Sequence, residues 1–158
     1  MNENFQLSEL PCKAECTELC DAILSDLPDW FGPYDVYKDY LEDVKTRPIF
    51  IAQAGGETLG LMALTQTSRA LVDIHLLAIR AGHHGKGIGR AFVELAKRYA
   101  TDCGATYLTV KTLGPSRENA AYAEMRKFYA SVGFEPLEEF IDFWGKDVPM
   151  LLQCQRIA

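Results

Sequence analysis

At 158 residues, 48% apolar and 24% charged, the chain is long enough for one globular domain, residues 1–158, with a sizeable core and an ordinary composition. A net charge of −6 argues against a general nucleic-acid binder. No apolar run approaches the length of a membrane span, and Met1-Asn2-Glu3-Asn4 lacks the basic and apolar regions of a signal peptide, so a cytoplasmic protein with no membrane partner is expected.

Residues 11–27 carry apolar side chains at intervals of three and four, which predicts a helix. Ser8, Glu9 and Pro11 supply its start signals. Cys12, Cys16 and Cys20 fall on one face of that helix with Leu19, Ile23 and Leu27. Zinc wants a fourth ligand and better-spaced pairs, so packed, reduced thiols are expected here and no metal. The stretch 27–33 is a break rich in aromatics and turn formers. Residues 34–46 predict a second helix, stopped by Pro48.

Three strands follow. Residues 49–53 and 58–65 flank a Gly55-Gly56 hairpin turn, and 70–79 return after a second turn. The third strand is nearly all apolar, as a central strand covered on both faces would be. Asp73 and His75 interrupt it, and by alternation they share a face with Leu77 and Ile79. A carboxylate in such a strand costs several kcal/mol unless it is paired, neutralised or left wet. Two readings stay open for Asp73: a strand-end residue in solvent or in a structural hydrogen bond, or a base facing a cleft. His75 is the second candidate base; as a core histidine it needs only one hydrogen-bond partner.

Next comes His83-His84-Gly85-Lys86-Gly87-Ile88-Gly89-Arg90, between that strand and an amphipathic helix over 87–100. Glycines let the backbone approach a bulky anion, and a helix N-terminus offers unpaired N–H groups and partial positive charge. A P-loop needs four residues between its first glycine and the Gly-Lys pair, then Ser or Thr; here two residues separate Gly82 from Gly85-Lys86, and Gly87 follows. The dinucleotide fingerprint fails as well, because Arg90 stands where its third glycine belongs.

The helix is expected to bury Ile88, Ala91, Phe92, Leu95 and Tyr99, and Gly104 ends it. A strand over 106–110 should run parallel to 70–79. A loop over 111–116, a helix over 117–131 and strands over 134–143 and 150–155 complete the chain.

His84-x-x-Gly87-x-Gly89 resembles the pyrophosphate loop R/Q-x-x-G-x-G/A of the GCN5-related N-acetyltransferases, the GNAT family, with His at the first position. Tyr129-x-x-x-Gly133-Phe134 resembles the second motif of that family. The resemblance covers 50–155, and 110–116 with 126–129 look like a bacterial subgroup of undefined substrate. It implies an α/β (α+β) fold whose central mixed sheet has splayed parallel strands and is flanked by helices.

It also implies a function: transfer of an acetyl group from acetyl-CoA to a primary amine, small-molecule or peptide, by direct attack in a ternary complex. None of the five cysteines holds an obvious nucleophile position. The pyrophosphate would lie on His84, Gly85, Lys86, Gly87, Ile88, Gly89 and Arg90, and the thioester beside Leu77, Ala78 and Ile79. Tyr122 stands where the family often has Asn against the cofactor arm. Tyr129 would stabilise the leaving thiolate, and Asp73 or His75 would accept the amine's proton. The first two helices and their loop would wall the acceptor, through Trp30, Phe31 and Tyr34. Acidic residues surround them (Asp29, Asp35, Asp39, Glu42, Asp43), with Glu138, Glu139 and Asp142 later in the chain; such walls suit a cationic amine. A monomer or homodimer is expected. The alternatives are a non-catalytic acyl-CoA-binding sensor of the same fold and, lower, a nucleotide-binding regulatory domain.

Overall fold

In the computed structural model, residues 4–158 are described. The elements run β1 (Gln6–Glu9), α1 (Lys13–Ser25), α2 (Pro28–Phe31), α3 (Tyr34–Asp43), β2 (Ile49–Ala54), β3 (Glu57–Gln66), β4 (Leu71–Ile79), α4 (Ile88–Asp102), β5 (Tyr107–Leu113), α5 (Ala120–Ser131), β6 (Glu135–Phe140) and β7 (Met150–Arg156). The seven strands form one mixed sheet in the order β1-β2-β3-β4-β5-β7-β6. β4 and β5 run parallel, as expected. Among the described residues, no helix is long and apolar enough to cross a membrane. The chain clusters into two compact units, one holding the residues up to Thr65 with His75–Leu95, the other Gln66–Ile74 with Ala96–Ala158.

In the first unit β1 pairs antiparallel with β2, Gln6 opposite Gln53 through Glu9 opposite Phe50. Ser8 and Glu9, expected to open a helix, belong instead to this short edge strand. Their backbone groups find partners in β2, whereas Pro11 has no N–H to give, and α1 starts only at Lys13. One face of α1 (Cys16, Cys20, Ile23 and Leu24) packs with Tyr37 and Leu41 of α3 and with the inner residues of β2, β3 and β4. Cys16 and Cys20 are fully buried, and burial pushes the Cys20 thiol up to about 12. These are the packed thiols anticipated from their spacing. Cys12 departs from the stripe, since it is exposed at the position that caps α1. Inside the same core the Tyr37 hydroxyl donates to Asp21 Oδ1 at 2.7 Å, and this bond is the main reason its phenol is pushed up to about 12.

Gly60 on β3 is a point of close approach. A Cβ there would lie 3.0 Å from the Ala78 carbonyl and 3.2 Å from both the Ile79 side chain and the Phe92 ring. β3 therefore lies tight against the last residues of β4 and the first turns of α4. The buried line of α4 is Ile88, Phe92, Ala96 and Ala100, with Val93 beside it. Ala91, Leu95 and Tyr99, expected at its centre, are its half-buried flank.

In the second unit the parallel ladder pairs Leu71–Ile74 of β4 with Tyr107–Val110 of β5. β5 runs on to Leu113, although a loop was expected from 111. β7 holds it in the sheet, with Lys111 opposite Leu152 and Leu113 opposite Met150. β6 pairs with the other edge of β7. α5 begins at Ala120, three residues later than expected, because Asn119 caps it by accepting from the Tyr122 N–H at 3.0 Å.

Gly60→Ala should lower stability by roughly 1–3 kcal/mol through overpacking, a fall of several degrees in Tm for a chain of this size. Thermal unfolding monitored by circular dichroism checks this, and an unchanged Tm would mean that β3 can shift away.

Candidate active site

β4 ends in the first unit at Ile79, and the chain there is tied down on several sides. The Arg80 N–H bonds the Leu59 carbonyl at 2.8 Å. Its side chain reaches the Thr58 carbonyl at 2.8 Å and Asp26 at 3.0 Å. A single 3₁₀ turn, Ala81–His83, leads into Gly85 and Gly87, with φ of 74° and 90°. Other residues enter that region only under strain. The first bond of α4 runs from the Ala91 N–H to the Gly87 carbonyl at 3.1 Å. The N–H groups of Ile88, Gly89 and Arg90 thus precede the helical ladder, at the positive end of a helix of 15 residues. Ile88 and Gly89 are buried, Lys86 is half-buried and Arg90 is exposed. This is a set of helix-opening donors with two cationic residues beside it in the sequence, which suits an anion such as a diphosphate.

The side chain of His84 is engaged within the fold. Its Nε2 lies 2.6 Å from the Ile79 carbonyl oxygen. A carbonyl only accepts, so Nε2 carries the hydrogen. The imidazole also meets the Trp30 ring edge-on, at 5.1 Å and 86°. The side chain therefore ties the glycine turn to the end of β4 and to α2.

Leu77 and Ala78 are buried, while Ile79 is half-buried. Of the three expected wall residues, Phe31 belongs to the core and packs edge-on against Tyr40 at 5.8 Å. Trp30 is half-buried and Tyr34 is 56% exposed, edge-on to Tyr37. These two rings are the ones left to meet a substrate.

His75 is half-buried on β4. Its Nε2 lies 2.8 Å from Asp43 Oδ2, and its ring lies 5.5 Å from that of Tyr40. The other Asp43 oxygen, Oδ1, is 3.5 Å from Arg47 Nη1. Arg47 is itself fixed by bonds to the Asp43 carbonyl at 3.0 Å and to Thr65 Oγ1 at 2.7 Å. Asp43 figured in the sequence only as one acid among several near the aromatic segment. Nothing in a separation of 32 residues announces the pair. The one hint was that a histidine in an apolar strand needs a partner and an acidic helix could supply it.

In the second unit Asp73 is 4% exposed and faces β5. Thr109, directly opposite in the ladder, donates its hydroxyl to Asp73 Oδ1 at 2.7 Å, and Lys111 Nζ lies 3.3 Å from the same oxygen. The charge is thus matched inside the sheet. α5 carries the two tyrosines. Tyr122 sits in its first turn, and burial pushes its phenol up to about 12. Tyr129 is 2% exposed, with its ring against Phe128 and Phe134 at 5.2 and 5.4 Å. The loop before α5 is held by Arg126 donating to the Leu113 carbonyl at 2.7 Å and by the Ser116 N–H donating to Glu139 at 2.9 Å.

Residues 45–136, more than half of the chain, match the profile of the acetyltransferase (GNAT) domain. N-acetyltransferase 8 from Rattus norvegicus is 27% identical over 125 residues, which are 74% of this chain and 53% of that protein. The chain thus spans about half the length of this curated relative. A GNAT-family protein from Desulfovibrio desulfuricans superposes with a TM-score of 0.81 at 15% identity, over 98% of this chain and all of the other. A GNAT acetyltransferase from Elizabethkingia anophelis, solved with acetyl-CoA bound, superposes with a TM-score of 0.71 at 14% identity, over 98% of this chain and 99% of that one. At such identities the superpositions speak for the fold.

Asp73→Asn keeps the acceptor for Thr109 but leaves Lys111 without its counter-charge. It should cost about 1–3 kcal/mol, read as a lower midpoint in urea. A variant as stable as the parent would show that the pairing carries no net stability.

Proposed function

The chain belongs to the GNAT acetyltransferase family, and we propose that it moves an acetyl group from acetyl-CoA to a primary amine by direct attack in a ternary complex. The observation that carries this reading is the turn at the end of β4. Two positive-φ glycines, Gly85 and Gly87, lead into the unbonded backbone N–H groups that open α4. The diphosphate of the cosubstrate lies there, on the backbone from Gly85 to Arg90, with Lys86 and Arg90 adding charge. The acetyl-CoA-bound Elizabethkingia anophelis protein supports the choice of ligand.

The rest follows from the chemistry of acyl transfer. The thioester carbonyl lies along Leu77, Ala78 and Ile79, where a backbone N–H steadies the oxyanion; one such donor, well placed, is worth about 3 kcal/mol. The neutral amine adds to the carbonyl carbon, the C–N bond forms and the C–S bond breaks. Holding both reactants together removes much of the entropic barrier. The amine's surplus proton passes to a side chain of β4, where Asp73 and His75 are the candidates. Tyr129 donates a hydrogen bond to the departing thiolate. A phenol near pKa ~10 is a weaker acid than a thiol near ~8.5, so it stabilises sulfur rather than handing over its proton early. Tyr122 lies along the cofactor arm. Trp30 and Tyr34, beside the acids of α2 and α3, form the acceptor wall, and that chemistry selects a cationic amine in solution. Five free thiols suit a reducing compartment, the cytoplasm.

Thermal unfolding with acetyl-CoA, CoA, ATP and NAD, each in excess, tests the cosubstrate. A ligand at 100 times its Kd stabilises by ~2.7 kcal/mol, and the shift should come with acetyl-CoA and CoA alone. A shift with ATP or NAD instead would overturn the acetyltransferase reading. Acetyl-CoA binding without transfer to any amine would favour the acyl-CoA sensor. Tyr129→Phe should lower kcat by roughly 10²-fold with acetyl-CoA binding little changed; unaltered turnover would remove Tyr129 from the mechanism.

A further inference from the structure

We propose that His75 is the general base and that Asp43 is its positioning residue, an assignment that rests on the acetyl-transfer reading. Asp43 is a carboxylate and accepts hydrogen bonds only, so at 2.8 Å the hydrogen between them belongs to His75 Nε2. The neutral imidazole is thereby held with its lone pair on Nδ1. Among the described residues, no bond to Nδ1 is made. The ring is neither sealed in the core nor loose in solvent: its side chain is 24% exposed. The aromatic edge of Tyr40 lies at 5.5 Å.

Asp43 is fixed in turn. Arg47 lies 3.5 Å from its second oxygen and is anchored by Thr65 and by the Asp43 carbonyl. His75 meets Tyr40 and Asp43, Arg47 stands behind Asp43, and Asp73 lies two residues away on the same strand. This is the logic of a histidine oriented by an acid, here a half-buried one, in which the acid sets the tautomer and stabilises the imidazolium as it forms.

Asp73 is the rival, and its surroundings count against it. Thr109 and Lys111 both engage Asp73 Oδ1. The Asp73 side chain is only 6% exposed and is held by those two partners inside the sheet, so an incoming amine has little access to it.

The step balances as follows. As the amine nitrogen bonds to the acetyl carbon, its proton moves to His75 Nδ1, giving an imidazolium held by Asp43. The C–S electron pair leaves with sulfur. The thiolate takes a proton as CoA departs, and His75 returns its proton to solvent.

Two measurements test the assignment. The first is acetyl transfer to spermidine, kanamycin and lysine amide across pH 6 to about 10, followed by release of the CoA thiol, for the parent, His75→Gln and Asp43→Asn. His75→Gln should lose roughly 10²–10⁴-fold in kcat/KM near neutral pH. It should recover as the pH approaches the amine's own pKa, where the acceptor needs no base. Asp43→Asn should fall in the same direction, because an amide can donate to Nε2 and move the ring hydrogen to Nδ1. Retained stabilisation by acetyl-CoA shows that both variants are folded.

The second measurement is the ring ¹⁵N spectrum of the parent, which needs neither an acceptor nor a variant that folds well. His75 should read as the Nε2–H tautomer. A parent-like rate and pH profile for His75→Gln would overturn the assignment and leave the acetyltransferase reading intact, as would an Nδ1–H tautomer in the parent. No transfer by the parent to any of these amines, with acetyl-CoA bound, would overturn both.

Discussion

An ionisable group in an apolar strand must be matched by a partner, and β4 carries two of them. Asp73 is matched by Thr109 and Lys111 across the parallel ladder. His75 is matched by Asp43 from α3. Desolvation makes each partner obligatory, so each fixes part of the architecture. The first specifies which residue of β5 stands opposite β4, since a slip of one position would turn Thr109 to the other face. The second specifies where α3 ends, since the carboxylate that reaches His75 belongs to its last residue.

The same strand sets the position of the glycine turn. With Gly60 lying close against Ala78, Ile79 and Phe92, and with Arg80 held at its N–H and its guanidinium, the chain leaves β4 along one path. The helix that follows is anchored by Ile88 and Phe92. A binding surface made of backbone N–H groups has few ways to adapt, because each donor is fixed by the helix it opens. Its precision comes from the packing behind it, and these residues supply that packing.

Much of this was legible in the sequence because it depends on local patterns. Apolar runs bounded by turn residues marked β2, β3 and β4, three-and-four spacing marked α1 and α4, and the glycines announced the turn. The misses share a cause, which is that the partner was distant. β1 was missed because four residues with mixed polarity look like nothing until β2 is beside them. β5 was cut short because Lys111 to Leu113 owe their conformation to β7. Phe31 was expected in the acceptor wall, and it is a core residue because α3 places Tyr40 against it. The pairing of Asp43 with His75 is of the same kind. Its residues are each visible in the sequence, but their meeting is a property of the packed helix and strand.

Trp30 rests edge-on against His84, whose imidazole is bonded to the end of β4. One indole therefore sits beside the segment that a bound anion would touch. Its emission depends on that neighbouring imidazole, so the molecule carries its own optical reporter of the turn. The other tryptophan, Trp144, lies half exposed between β6 and β7 and provides an internal reference. Occupancy of the turn can be followed in the unlabelled protein, by light alone, at concentrations where calorimetry has no signal.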